Sequence, residues 1–161
     1  MFDYRECNER DCTRWVELNR SFMREEIREG DVWNDADNIS DGEFRELFLK
    51  GLQMKDRIRF LMFEEDEEPV GFANLMLIYS IWSHGTAMII DDFYFTVGNR
   101  GKGYGKRAIE MIAEYAKELG CKRLQLQAEF TNPDAIEFYK AIGFLKTDME
   151  FFVKYLDDQG E

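Results

Sequence analysis

The stretch Met88 to Ala108 reads MIIDDFYFTVGNRGKGYGKRA, and the rest of the chain is understood from it. Its first part, Met88-Ile89-Ile90-Asp91-Asp92-Phe93-Tyr94-Phe95, is rich in β-formers and predicts a strand. A run at helical period, Ala108, Ile109, Ile112, Tyr115, Ala116 and Leu119, follows. Between the two, Gly101, Gly103 and Gly105 occupy alternate positions. Without Cβ atoms there, backbone N–H groups can crowd round one point. The helix that follows adds its own unpaired N–H groups and its positive dipole end. Arg100, Lys102, Lys106 and Arg107 place cations on both sides. Strand, loop and helix together predict an anion cradle of the size a pyrophosphate needs.

Bulk properties frame that reading. At 161 residues the chain is expected to be a single domain over 1–161, large enough to bury roughly 70% of its unfolded surface. Hydrophobic residues make up 45% of it and prolines number two, which argues against disorder. A net charge of −12 argues against nucleic acid or an anionic membrane as partner. Met1-Phe2-Asp3-Tyr4-Arg5 has no apolar signal core, and no run approaches the ~18 apolar residues of a membrane span. Cys7, Cys12 and Cys121, an odd number without CxxC spacing, suit free thiols in a reducing cytoplasm. With one histidine and no paired Cys/His, no metal site is expected. An acidic surface round one basic loop suits an anionic ligand and a cationic second one, although solubility alone also accounts for it.

The remaining elements follow from periodicity and punctuation. Phe2–Cys7 predicts a short strand, and Trp15, Leu18, Phe22 and Met23 mark a helix over Asp11–Glu29. Ser40-Asp41-Gly42-Glu43 is a capping box that opens a second helix, with Phe44, Leu47, Phe48 and Leu52 as its apolar stripe. Arg57–Glu64 and Val70–Trp82 predict strands around an acidic turn, and Ser83-His84-Gly85 turns the chain into a strand over Thr86–Val97. After the glycine loop a helix runs to Leu119 with Gly120 at its C′ position, and Leu124–Ala128 alternates as a strand. Asn132-Pro133-Asp134 supplies an N-cap, a proline at N1 and an early acid for a last helix, which Gly143 ends. Phe144 to Leu156 is expected to return as one or two β segments. The order β-α-α-β-β-β-α-β-α-β predicts an α+β fold, a mixed and mainly antiparallel sheet with one β-α-β crossover.

Gly103 to Ala108 also satisfies G-x-G-x-x-A, with Glu129 near the offset of a ribose-binding acid. Two features argue against a dinucleotide fold: there is one crossover where several are needed, and Asp91 and Asp92 interrupt a strand that should be uniformly apolar. The match lies elsewhere. Arg100-Gly101-Lys102-Gly103-Tyr104-Gly105 resembles the R-x-x-G-x-G segment of the GCN5-related N-acetyltransferases. Asn132-Pro133-Asp134-Ala135-Ile136-Glu137-Phe138-Tyr139-Lys140-Ala141-Ile142-Gly143-Phe144 is similar to that family's N-x-x-A-x-x-F-Y-x-x-x-G-F block. The two blocks lie in register, one helix and one strand apart.

The resemblance implies an acyl-CoA N-acyltransferase-like fold and acetyl-CoA as co-substrate, with no metal. It implies a pyrophosphate on the N–H groups of Arg100, Gly101, Lys102, Gly103, Tyr104, Gly105 and Lys106. A pantetheine arm would then lie along the backbone of Phe93, Tyr94 and Phe95, where two central strands splay. The Phe93 N–H takes the oxyanion role, Asn132 helps hold the pantetheine, and Tyr139 is the general acid. A phenol at ~10 can protonate a thiolate at ~8.5; Tyr139 also fits as a packed aromatic beside Phe138. Asp91 stands where polyamine-acetylating relatives carry a glutamate, and it could orient the amine or accept its proton through water. It equally fits a bulge or an ion pair with an arginine.

Glu25, Glu26 and Trp33, at and beyond the end of the first helix, would form an acidic and aromatic acceptor wall suited to a cation; a helix end emerging into water fits them as well. The implied acceptor is a small-molecule amine such as a polyamine or aminoglycoside. A protein amine, or a non-catalytic acyl-CoA-binding module, are the alternatives. Phe151, Phe152, Tyr155 and Leu156 offer an apolar late strand to a homodimer.

Overall fold

Three consecutive apolar strands build the centre of the molecule, in a computed structural model that describes residues 1–33 and 35–156. β2 (Ile58–Glu65), β3 (Glu68–Ser80) and β4 (Gly85–Phe95) form an antiparallel meander. β1 (Phe2–Glu6) adds antiparallel to β2, and β5 (Arg123–Leu126) adds parallel to β4. The sheet order is therefore β1-β2-β3-β4-β5 with one parallel pair. A parallel pair needs a crossover, and α3 (Tyr104–Glu118) supplies it. A single crossover is incompatible with a doubly wound dinucleotide fold.

Strand alternation sorts the side chains into two cores. Phe60, Met62, Phe72 and Tyr94 face α1 (Cys12–Glu26) and α2 (Asp41–Leu52), packing on Trp15, Leu18, Phe44 and Phe48. Leu61, Phe63, Leu75, Met88 and Ile90 face α3, packing on Ala108, Ile109 and Ile112, with α4 (Pro133–Ala141) at the edge of this second core. Burial on both faces explains why β2 and β3 read as nearly continuous apolar runs. Phe48 is fully buried against the rings of Trp15, at 5.0 Å, and Phe60, at 5.2 Å. Phe48→Ala is therefore expected to destabilise the fold by about 3–5 kcal/mol. A denaturant midpoint shift equivalent to under 1 kcal/mol would contradict this packing.

The caps form as the sequence dictates. Ser40 Oγ accepts from the Glu43 N–H at 3.1 Å while Glu43 Oε2 accepts from the Ser40 N–H at 2.7 Å. Asn132 Oδ1 accepts from the Ala135 N–H at 3.2 Å, with Pro133 in the first turn. Gly120 and Gly143 take left-handed φ values of 77° and 100° just past α3 and α4. Among the described residues no helix is long and apolar enough to cross a membrane.

Several expectations need correction. α1 ends at Glu26 rather than Glu29, because Ile27 turns extended at ψ 129°. In α2 the buried face is Phe44, Phe48 and Gly51, an i, i+4, i+7 row, and Leu47 falls on the flank, 56% exposed. The expected closing strand is missing: Phe144 to Leu156 pairs with no strand among the described residues. Alternating apolar residues define a strand only when a neighbour takes up its backbone hydrogen bonds. This segment instead reaches the α1–α2 connection, where Phe151 stacks on Trp33 at 6.1 Å and Tyr155 Oη donates to the Val32 carbonyl at 2.7 Å. The late strand offered to a homodimer is thus not formed, and Leu145, Met149, Phe152 and Leu156 stay exposed.

Candidate active site

The ladder between β3 and β4 slips at one point. Asn74 pairs with Asp92 and Leu75 with Ile90, which leaves Asp91 as the extra residue of a bulge. On its other side β4 is paired with β5 only from Ala87 to Ile90. Beyond Ile90 the outer edge of β4 pairs with no strand among the described residues and is open. The Thr96 N–H donates to the Val70 carbonyl on β3 at 3.0 Å. By alternation the Tyr94 N–H also faces β3, and the N–H groups of Phe93 and Phe95 face the open edge. Of the three expected pantetheine contacts, Phe93 and Phe95 thus present backbone groups there, while Tyr94 does not. The Phe95 carbonyl is already taken by Arg100 Nε at 2.9 Å.

After β4 a single 3-10 turn, Val97–Asn99, leads into the glycine loop. Gly101 and Gly103 adopt φ values of 75° and 77°, the left-handed region that glycine enters freely. Among the described residues no backbone acceptor takes the N–H groups of Gly101 through Lys106. A Cβ added at Gly101 or Gly103 would meet no heavy atom of the described residues within 4 Å beyond its chain neighbours, so the loop lies open on that side. Six unpaired donors at the start of α3 are what a dianion requires, and these residues fit the diphosphate of a coenzyme. Tyr104 anchors the loop by stacking on Phe2 at 4.4 Å, and Lys102 Nζ donates to Asn99 Oδ1 at 2.9 Å.

Arg100 departs from its expected part. Its own N–H donates to the Val97 carbonyl at 3.3 Å, so the cradle begins at Gly101. Its guanidinium lies 5.2 Å from the Tyr94 ring centroid and pairs with Glu25 Oε2 at 2.5 Å. Tyr94 Oη donates to Glu25 Oε1 at 2.8 Å. Desolvation alone would raise the Glu25 carboxyl, but the bonds from Arg100 and Tyr94 together outweigh it and hold the group below its ordinary range. Glu25 therefore ties the end of α1 to the glycine loop and is not a free acceptor carboxylate. The sequence leaves this clamp unseen, since its members lie 69 and 75 residues apart.

Tyr139, on α4, is half-buried with its ring against Phe138 at 5.2 Å and Phe144 at 5.7 Å. Burial pushes its phenol up, and the charge of Glu26 adds to that. Glu26 and Tyr139 thus share one electrostatic neighbourhood. Glu26 and Asp91 are exposed, although partial burial of its carboxyl still pushes Asp91 up, and Trp33 lies half-buried under Phe151. Asn132 spends its Oδ1 on the α4 cap, leaving its amide N–H groups as donors. One buried polar cluster was not anticipated: Asn74 joins Trp15 and Asn19 of α1 to Asp92. Its sequence signal is an asparagine interrupting the apolar run Val70 to Leu77.

Comparison with known proteins gives the same direction. The profile of the acetyltransferase (GNAT) family matches residues 11–144. An uncharacterized N-acetyltransferase of Bacillus subtilis (strain 168) is 32% identical over 105 residues, 65% of this chain and 70% of that protein. The thialysine N-epsilon-acetyltransferase of Sus scrofa is 34% identical over 74 residues, 46% of this chain; the match spans only 43% of the pig protein. Among solved structures, an aminoglycoside N-acetyltransferase in complex with CoA superposes with a TM-score of 0.74 at 16% identity, over 98% of this chain and 96% of that one. At that identity the likeness speaks for the fold alone.

Proposed function

We propose, for a chain that belongs to the acetyltransferase (GNAT) family, that it transfers an acetyl group from acetyl-coenzyme A directly to a primary amine of a small cationic molecule. The observation that carries this is the run of six unpaired N–H groups, Gly101 to Lys106, beside the open edge of β4. When bound, acetyl-CoA supplies an acyl carbonyl activated as a thioester. Gly101 to Lys106 would hold its diphosphate, and the backbone of Phe93 and Phe95 would align its arm along β4. The Phe93 N–H, fixed in the strand and facing that edge, favours negative charge developing on an oxygen there. The Tyr139 phenol keeps its proton well above neutral pH and can pass it to a departing thiolate.

The acceptor follows from charge. Asp91, beside the open edge, and Glu26, near Tyr139, are exposed acids, and neither is engaged in an ion pair among the described residues. The names of the thialysine and aminoglycoside enzymes support an amine-bearing small molecule. Free Cys7, Cys12 and Cys121 support a reducing compartment, the cytoplasm.

Thiol release from acetyl-CoA, measured with spermidine, thialysine, kanamycin and a lysine peptide, tests the reading. Turnover is expected with the small cations. Glu26→Gln combined with Asp91→Asn should raise their KM about tenfold, each exposed charge contributing ~0.5–1 kcal/mol. No thiol release with any amine would overturn transfer. Turnover of the peptide alone, or an unchanged KM in the double variant, would overturn the small cationic acceptor.

A further inference from the structure

A hydrogen-bonded chain runs from the interior of α1 through β3 to the bulge on β4. Trp15 Nε1 donates to Asn74 Oδ1 at 2.9 Å. Because the indole can only donate, this contact fixes which end of the Asn74 amide is oxygen. Asn19 Nδ2 donates to the Trp15 carbonyl at 2.8 Å, so Asn19 Oδ1 is turned to accept from Asn74 Nδ2 at 2.9 Å. Asn74 Nδ2 also donates to Asp92 Oδ2 at 2.8 Å. Trp15, Asn19 and Asn74 are 5%, 1% and 6% exposed, so an apolar trio would pack there at less desolvation cost.

A network serving the core alone would close on itself. This one ends on a carboxylate. Asp92 Oδ1 has no protein partner among the described residues and is not sealed from solvent. It lies one residue before Phe93, where the outer edge of β4 is open. The bulge is what brings Asp92 opposite Asn74; without the extra residue Asp91, the register would turn its side chain to the α3 face.

We propose that Asp92, rather than Asp91, takes the proton from the acceptor ammonium, and that Asn74 is its positioning residue. This inference rests on the transferase reading above. The N–H bond of the ammonium breaks, its electron pair stays on nitrogen, and the proton bonds to Asp92 Oδ1. The carboxyl becomes neutral and later releases the proton to solvent. The amine is left uncharged and nucleophilic. Asp91, exposed on the bulge, draws the cation in.

The electrostatics agree with the geometry. Burial pushes the Asp92 carboxyl up to about 6, the Asn74 hydrogen bond pulls it the other way, and the charge of Asp91 adds to the rise. β3 and α1 face it with uncharged Asn74, Asn19 and Trp15, so Asp91 of its own strand is the charged neighbour acting on it. Such a group is ionised at neutral pH yet a stronger base than an ordinary carboxylate at ~4.

The test uses the full chain, thiol release from acetyl-CoA with whichever of spermidine, thialysine and kanamycin reacts fastest, and carbon-13 titration of side-chain carboxyls without either substrate. The active form is the ionised one, so wild-type activity should rise with pH through about 6, in step with one carboxyl resonance. Asp92→Asn keeps an oxygen for Asn74 Nδ2 and hence the network. It should lose that resonance, lose the acid limb and lower kcat about 10²- to 10⁴-fold, with coenzyme affinity within about twofold. Asn74→Leu withdraws a donor that favours the ionised form, so limb and resonance should both move to higher pH. Asp91→Asn should raise the amine KM severalfold and move the limb to lower pH. Rescue of the limb position by Asn74→Gln would agree with a positioning role. An acid limb persisting in Asp92→Asn, or a carboxyl titration unmoved by Asn74→Leu, overturns the inference while leaving the transferase reading intact. Absence of any turnover by the wild type overturns both.

Discussion

Gly103→Val will weaken coenzyme binding by at least about 100-fold while leaving a folded protein. Gly103 caps the N-terminus of α3 at φ 77°. A β-branched residue is strained there by about 1–3 kcal/mol. That is a modest part of the ~5–15 kcal/mol stability of a domain, and should lower Tm by no more than ~10 °C. Beyond its chain neighbours no heavy atom of the described residues lies within 4 Å of the added Cβ, so the branch point meets no packed part of the fold. It adds bulk in the middle of the run of unpaired N–H groups from Gly101 to Lys106, which a diphosphate would have to approach closely. Losing two or more charge-assisted hydrogen bonds, at ~1.5–3 kcal/mol each, accounts for the expected factor. Gly98→Ala is the matched control, since its Cβ also meets nothing within 4 Å and its φ is not positive; it should bind within about twofold. Calorimetric titration with coenzyme A decides the matter. An affinity for Gly103→Val within threefold of wild type would mean that the diphosphate does not rest on this loop.

What the sequence discloses and what it withholds divide along a physical line. Local chemistry is legible. The Ser40–Glu43 box, the Asn132-Pro133 start and the left-handed glycines after α3 and α4 all act within four residues of themselves. The shape of the glycine loop belongs with them, because Gly101 and Gly103 take the left-handed φ values that glycines before a helix allow. Groups whose meaning depends on a distant partner are not legible. Arg100 reads as a phosphate cation, yet Glu25 and the Phe95 carbonyl claim its side chain and Val97 its N–H. Asp91 and Asp92 cannot be told apart along the chain; a one-residue slip in the β3–β4 ladder separates them, exposing the first and tying the second to Asn74. The alternation of Phe144 to Leu156 is real, but a strand needs a neighbour, and the segment goes to Val32 and Trp33.

The same division gives the site its rigidity. Phe93 sits between two fixed points on β4: the bulge at Asp91, tied inward through Asn74, and the Phe95 carbonyl, tied outward to Arg100. Both ties end on α1, at Trp15 and Asn19 on one side and Glu25 on the other. In the proposed role, the Phe93 amide favours charge only as it develops, and such a donor works best when its direction is set beforehand.

Tyr139→Phe should lower kcat by about 10²- to 10³-fold without loss of stability. Burial and the charge of Glu26, with no side-chain hydrogen bond among the described residues, act on the Tyr139 hydroxyl, while the ring packs on Phe138 and Phe144. Phenylalanine keeps that packing, so Tm should stay within about 2 °C, and coenzyme affinity within about twofold. The reaction loses its proton donor, and a thiolate of conjugate pKa ~8.5 must then leave unprotonated. Two readouts separate this role from packing. Tyr139 must be protonated to act, so activity falls as pH rises through its pKa, which burial and the charge of Glu26 raise above 10. Glu26→Gln should move that falling limb to lower pH, and Tyr139→Phe should remove it. The second readout is the leaving group. An aryl thioester whose thiol is strongly acidic needs no proton on departure. With acetyl-thionitrobenzoate at saturating concentration, the loss in Tyr139→Phe should shrink to a few-fold. An equal loss with both thioesters, or a kcat within threefold of wild type with acetyl-CoA, would reduce Tyr139 to one more aromatic in the wall between α4 and Phe144.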